Sequence, residues 1–207
     1  MLAKPLKPEA LLKTLISLVL SKPGLSLLYG PQGSYKTSIS LSLLSRVGGT
    51  KVYVATGKHV LLRVPETITL YKSMDILDDL FLPFFLAHEA TEKGTPIYVV
   101  YDSFIANFAG ARGYLYSKVV IKSLVSCLIL LREFSRAFSS PVVLVVTEHP
   151  TVAKPPLWKV VSRLVGVAVR IEVKEGVVVV SQQDPSLTPL SVWTVSEEEL
   201  RGVLANP

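Results

Sequence analysis

The run GPQGSYKTS, Gly30 to Ser38, sets a glycine, a lysine and a hydroxyl in the register G-x-x-x-x-G-K-[ST], with Tyr35 where the second glycine belongs. The chemistry of that spacing is a grip on phosphate. Backbone N–H groups from Gln32 through Ser34 and Tyr35 to Thr37 can turn inward around anionic oxygens, helped by the positive end of the helix that follows. Gly30 opens the loop, Gly33 keeps its inner turn clear of bulk, and Ser38 continues into the helix. Lys36 would reach the outer phosphates, and the Thr37 hydroxyl would help hold a magnesium ion. Tyr35 is expected to fit only with a negative φ and with its ring turned away from the phosphates. The competing reading of that tyrosine is a loop whose helix is kept for packing alone.

A second residue agrees with the first set. Asp102 ends the apolar run IYVVYD, and an acid at the end of a buried strand near a phosphate loop can orient the same magnesium, directly or through water. Cys127 is the only cysteine. An internal disulfide and a multi-cysteine metal site are therefore excluded, and its apolar surroundings suit a small core residue.

These groups need elements to place them. In 207 residues, 49% of them apolar, one domain with a substantial core is expected, with residues 1–24 as an N-terminal helical segment. Mean hydropathy is +0.45, yet the apolar runs are broken by Lys13 and Lys122 short of a membrane span. Continuous Val/Ile/Leu runs suit parallel strands covered on both faces. No leader-like start is visible, so the cytoplasm is the expected compartment.

The spacing predicts a helix over about 8–21, a strand LSLLY running into the loop, and a helix leaving it. Strands KVYVA and TITLYKS follow, then a helix bent or divided at Pro83. The strand IYVVYDS, a helix from about Tyr114 to Phe138 and the strand PVVLVVTEH come next. Two strands joined at Lys174-Glu175-Gly176 and a third at LSVWTV close the chain. The fold class is α/β, a mostly parallel sheet flanked by helices and extended by antiparallel hairpins at its C-terminal edge.

In order and spacing, GPQGSYKTS, KVYVATG, IYVVYDSF, NFAGARGYL, VVLVVTEHP, VRIEVKEG and VWTVSEEELRGV together resemble the RecA/RadA recombinase superfamily, in particular the core-only archaeal RadA paralogs. The likeness extends over nearly the whole chain. It implies a RecA-like P-loop NTPase core, ATP and magnesium as cofactors, and a role in homologous recombination and DNA repair as an accessory to a recombinase or another paralog. A homo- or hetero-oligomer is open.

The departures carry as much as the matches. Where the family has a glutamate that positions the attacking water, this chain has Ala55, Thr56 and Gly57. Losing a general base costs about a hundred- to ten-thousand-fold in rate, so the expectation is ATP binding with slow hydrolysis or none. Glu148 and His149, after VVLVVT, are candidates to compensate, His149 standing where the family has a phosphate-sensing glutamine.

Two stretches that match the family's DNA loops are basic and aromatic. One offers Arg112, Tyr114, Tyr116 and Lys118; the other offers Lys154, Trp158, Lys159 and Arg163. Cations interleaved with rings suit single-stranded DNA, neutralising the backbone while bases stack without sequence readout. The net charge of +6 agrees with a polyanionic partner. The rival readings are a regulatory ATPase like the KaiC group without a DNA role, and a nucleotide-independent scaffold on a degenerate ATPase fold.

Overall fold

The computed structural model describes residues 3–56, 64–110, 118–148 and 158–205. In chain order the elements are β1 (Lys4–Pro5), α1 (Pro8–Val19), β2 (Gly24–Gly30), α2 (Lys36–Ser45), β3 (Thr50–Thr56), β4 (Thr69–Ser73), α3 (Ile76–Lys93) and β5 (Ile97–Asp102). Then come α4 (Ala106–Gly110), α5 (Lys118–Ala137), β6 (Pro141–Thr147), α6 (Trp158–Val161), β7 (Val165–Lys174), β8 (Val177–Gln183), β9 (Pro189–Ser196) and α7 (Glu197–Leu204).

The strands form one nine-stranded sheet in the order β1-β9-β8-β7-β2-β6-β5-β3-β4. Pairing is parallel from β7 through β2, β6, β5 and β3 to β4, and antiparallel in β7–β8 and β8–β9. The α/β class, the mostly parallel sheet and the antiparallel C-terminal extension are thus present. One strand has no sequence signal: Lys4–Pro5 pairs in parallel with β9, at the edge, where a proline costs no ladder bond.

Each element forms for a local reason. Strands β2, β5 and β6 are buried almost throughout, as covered parallel strands must be. In α5, Val120, Leu124, Cys127, Leu128, Leu131 and Phe134 line one buried stripe at helical spacing. In α1 the stripe is Leu11, Leu12, Leu15 and Val19. The turn between β7 and β8 puts Glu175 at φ 50° and Gly176 at φ 76°, two positive values in succession whose twist matches that of paired strands.

Two apolar layers sandwich the sheet. Leu82, Leu86, Leu124, Leu128 and Leu131 of α3 and α5 pack on one face. Leu11, Leu15, Ile39, Leu43 and Leu200 of α1, α2 and α7 pack on the other. Each such side chain, fully buried, contributes about 1.5–3 kcal/mol.

Pro83 neither divides nor ends α3, which runs unbroken from Ile76 to Lys93. A proline has no N–H, so the carbonyl four residues earlier, on Asp79, loses its helical donor. The Cys127 thiol of α5 donates to that oxygen at 3.2 Å. Burial and the nearby Asp79 carboxylate push the thiol's pKa well above its ordinary value, which keeps the proton on the sulfur.

Candidate functional site

The site is built at the C-terminal ends of β2, β5 and β6. Gly30 pairs with Thr147, and β6 separates β2 from β5, so the loop after β2 and the acid ending β5 stand on either side of one strand. In open parallel sheets this rim is where ligands enter. A pocket of about 350 Å³ opens there, lined by Gln32, Gly33, Ser34, Tyr35, Lys36, Thr37, Ser38, Asp102, Ser103, Val145 and Thr147.

Two glycines make the loop. A Cβ on Gly30 would sit 1.9 Å from the Ile171 carbonyl oxygen of β7, so no other residue lets the two backbones approach this closely. Gly33 has φ 80° with open space around it, a conformation that glycine adopts without cost.

Tyr35 corrects the expectation of a negative φ. Its φ is 62° and its ψ 10°, left-handed, at the cap position of α2, where its carbonyl accepts from Ile39 N–H at 2.8 Å. For a residue with a Cβ this costs about 1–2 kcal/mol. The ring is half-buried against the α1/α2 layer, and its hydroxyl donates to Glu197 Oε1 at 2.6 Å and accepts from Arg201 Nη2 at 2.7 Å. The tyrosine hydroxyl and Arg201 hold the Glu197 carboxyl below the usual glutamate range. A second non-glycine residue on the pocket rim, Ser103, is also left-handed at φ 57°. Strain of this kind persists only where the surroundings over-determine it, and it gathers at functional sites.

Lys36 is 7% exposed. Its ammonium donates to the Pro31 carbonyl at 2.5 Å and to Ser34 Oγ at 3.2 Å. Among the described residues it has no carboxylate within salt-bridge distance, and burial lowers its pKa from the usual lysine value. A buried ammonium satisfied by neutral oxygens alone is a cation lacking its anion.

Thr37 Oγ1 donates to Asp102 Oδ2 at 2.8 Å, and Tyr53 donates to the same oxygen at 2.6 Å. Burial and the Asp102 charge push the Tyr53 hydroxyl far above its ordinary pKa, so it remains a donor. Among the described residues no donor reaches Oδ1 of Asp102. Thr56 Oγ1 donates to the carbonyls of Asp102 and Ser103 at 3.0 and 2.9 Å, fixing the end of β5.

The residues expected to replace the missing glutamate fare differently. Glu148 stands beside the loop, its N–H donating to the Gly30 carbonyl at 2.9 Å. Both of its carboxylate oxygens are taken by Arg170, at 2.9 and 3.1 Å, and Arg170 also pairs with Glu172 at 2.9 Å. A carboxylate held in that two-pronged pair has both oxygens occupied. Ala55 and Thr56 bring no carboxylate, while His149 and Gly57 lie outside the described residues.

Of the residues expected to touch DNA, Lys118, Lys159 and Arg163 are exposed, and none of them lines the pocket. Trp158 is half-buried: its Nε1 donates to the Pro185 carbonyl at 3.0 Å and its ring lies 6.1 Å from that of Tyr29. Its indole is thus partly engaged by Tyr29 and Pro185. Arg112, Tyr114, Tyr116 and Lys154 lie outside the described residues.

Sequence reasoning missed Tyr53, Ser103, Thr147 and Arg170. Tyr53 sits in an apolar strand 49 positions from its partner Asp102, and nothing local marks its hydroxyl as a ligand for an acid. Among the described residues no helix is long and apolar enough to cross a membrane, and no cluster of three or more His, Cys, Asp or Glu side chains could hold a metal. No protein-family model matches the chain, and no curated protein matches it.

Proposed function

We propose that the chain is a RecA-like P-loop protein of the cytoplasm that binds ATP with magnesium at Gly30–Ser38, hydrolyses it slowly or not at all, and assists a recombinase on single-stranded DNA. The observation that carries the nucleotide reading is the Thr37–Asp102 hydrogen bond at 2.8 Å next to the buried Lys36 ammonium, which lacks a carboxylate partner among the described residues. A hydroxyl and a carboxylate that already share one proton offer two hard oxygens for a divalent cation, and the ammonium offers the charge that outer phosphates need.

The residues fit the group they would hold. Backbone N–H groups of Gly33 to Thr37 and the start of α2 would take the phosphates, Lys36 would leave Pro31 for them, and Thr37 with Asp102 would hold the magnesium. The metal would supply charge neutralisation between the phosphates. Slow turnover is supported by the chain's own side chains: β3 ends without a carboxylate, Glu148 is committed to Arg170, and the free oxygen of Asp102 would be taken by the magnesium. The DNA reading is supported by the exposed Lys118, Lys159 and Arg163 and by the charge of +6.

Thermal unfolding with and without ATP and magnesium tests the first half. The natural chain is expected to gain stability by about 2.7 kcal/mol at a hundredfold excess over Kd, and Lys36→Ala to lose that gain; no gain in the natural chain would leave the scaffold reading. Retention of single-stranded DNA tests the second half. It is expected to fall steeply between low and physiological salt, by roughly one power of ten or more, and to fall again in Lys159→Ala; absence of retention would favour a regulatory ATPase without a DNA role.

A further inference from the structure

Residue 35 is the joint between the phosphate loop and α2, and its torsion angles set the direction of the N–H groups that follow it. What holds that joint comes from the far end of the chain. The Tyr35 hydroxyl donates to Glu197 and accepts from Arg201 through both Nη2, at 2.7 Å, and Nε, at 3.1 Å. The Arg201 guanidinium lies 5.9 Å from the centre of the ring. Glu197 and Arg201 are one turn apart on α7 and bonded to each other at 2.8 Å, so the three side chains close a triangle.

The helix that supplies them is itself anchored. Ser196 caps it, Glu197 N–H donates to the Gly176 carbonyl at 2.9 Å, and Leu200 is fully buried in the α1/α2 layer. A glycine at position 35 would adopt the observed φ without help. A tyrosine needs its conformation imposed, and its hydroxyl is bound nowhere but on α7 among the described residues.

We propose that Glu197 and Arg201 are positioning residues for the phosphate loop: by gripping the Tyr35 hydroxyl they fix the left-handed joint, so that anion affinity at Gly30–Ser38 depends on α7 being docked. The loop and the last helix then form one unit. Whatever loosens α7 weakens the phosphate grip, and a ligand that tightens the loop tightens α7 by the same factor. This rests on the nucleotide reading for its ligand, though not for the mechanical link.

Arg201 is largely exposed, so Arg201→Ala will fold. The experiment places that substitution in the natural chain and in a Tyr35→Gly background and reads two quantities. One is amide hydrogen exchange of residues 33–38 without nucleotide; the other is the Kd for ATP with magnesium. In the natural chain Arg201→Ala is expected to speed exchange about tenfold and to weaken binding about tenfold. Tyr35→Phe, which keeps the ring, is expected to move both the same way. In the Tyr35→Gly background Arg201→Ala is expected to change neither by more than about twofold, because the glycine needs no grip. Equal losses in both backgrounds would overturn the proposal in favour of a general stabilising role for α7, and so would no change in the natural chain. Exchange that responds as expected in a chain that never binds ATP would uphold the link and sink the nucleotide reading. Tight ATP binding indifferent to Arg201 and to the Tyr35 hydroxyl would sink the link alone.

Discussion

Two buried aspartates, on opposite faces of the same sheet, are each held by a tyrosine hydroxyl from a neighbouring strand. Asp79 of α3 is fully buried and accepts from Tyr101, Ser73 and Asn107, the last reaching both carboxylate oxygens at 3.2 Å. Asp102 is 8% exposed, takes both of its donors on Oδ2, and borders the pocket. One carboxylate is saturated and sealed among the apolar side chains of α3 and α5; the other is half-served at an opening. Burial alone therefore does not single out the acid we propose as a ligand. What distinguishes Asp102 is an oxygen that no described donor reaches, at the lining of a cavity, near an ammonium that no described carboxylate pairs with directly.

The sharpest way to break this contrast is to exchange the consequences of losing each acid. Asp102→Asn keeps acceptors for Thr37 and Tyr53 and removes the charge, so affinity for ATP with magnesium is expected to fall about a hundredfold, roughly 2.7 kcal/mol, with unfolding in the absence of ligand little changed. Asp79→Ala should do the reverse. It strands the Tyr101, Ser73 and Asn107 donors, costing about 2–3 kcal/mol of stability, and leaves the Kd for ATP as it was. Denaturant unfolding and nucleotide titration of both variants check the pair, and a shared phenotype would erase the distinction.

A smaller effect sharpens it. Burial, partly offset by its hydrogen bonds, lifts the Asp79 carboxyl above the usual aspartate range. An acid whose pKa is raised by folding binds its proton more tightly in the folded chain. The stability it contributes is complete below about pH 4 and is lost as pH rises through the folded value. Asp79→Asn removes that dependence. The Tm of the natural chain is expected to decline relative to that of the variant as pH rises from about 4, and parallel profiles would show that Asp79 does not titrate differently in the folded state.

How much of this could be read in the sequence depends on whether the deciding contact is local. The continuous apolar runs at IYVVYD and PVVLVVT announced covered parallel strands, and the Lys174-Glu175-Gly176 turn announced its hairpin, because each signal is complete within a few residues. Gly30, Lys36, Thr37 and Asp102 were legible as a set for the same reason: each belongs to a short strand-end pattern. Tyr35 was misjudged because its φ is imposed by side chains 162 and 166 positions away. The commitment of Glu148 to Arg170, 22 positions on, and the use of Trp158 to hold Pro185 are likewise products of tertiary packing. The strand at Lys4–Pro5 exists only because β9 offers it an edge.

One feature of α3 reaches further than its geometry. Because Pro83 deprives the Asp79 carbonyl of its donor and Cys127 supplies one from α5, the single thiol of the chain is spent across the seam between two helices, with its sulfur fully hidden from solvent. An alkylating reagent can reach it only when α3 and α5 part, so the rate of labelling at this one atom times the opening of that layer, without any added probe.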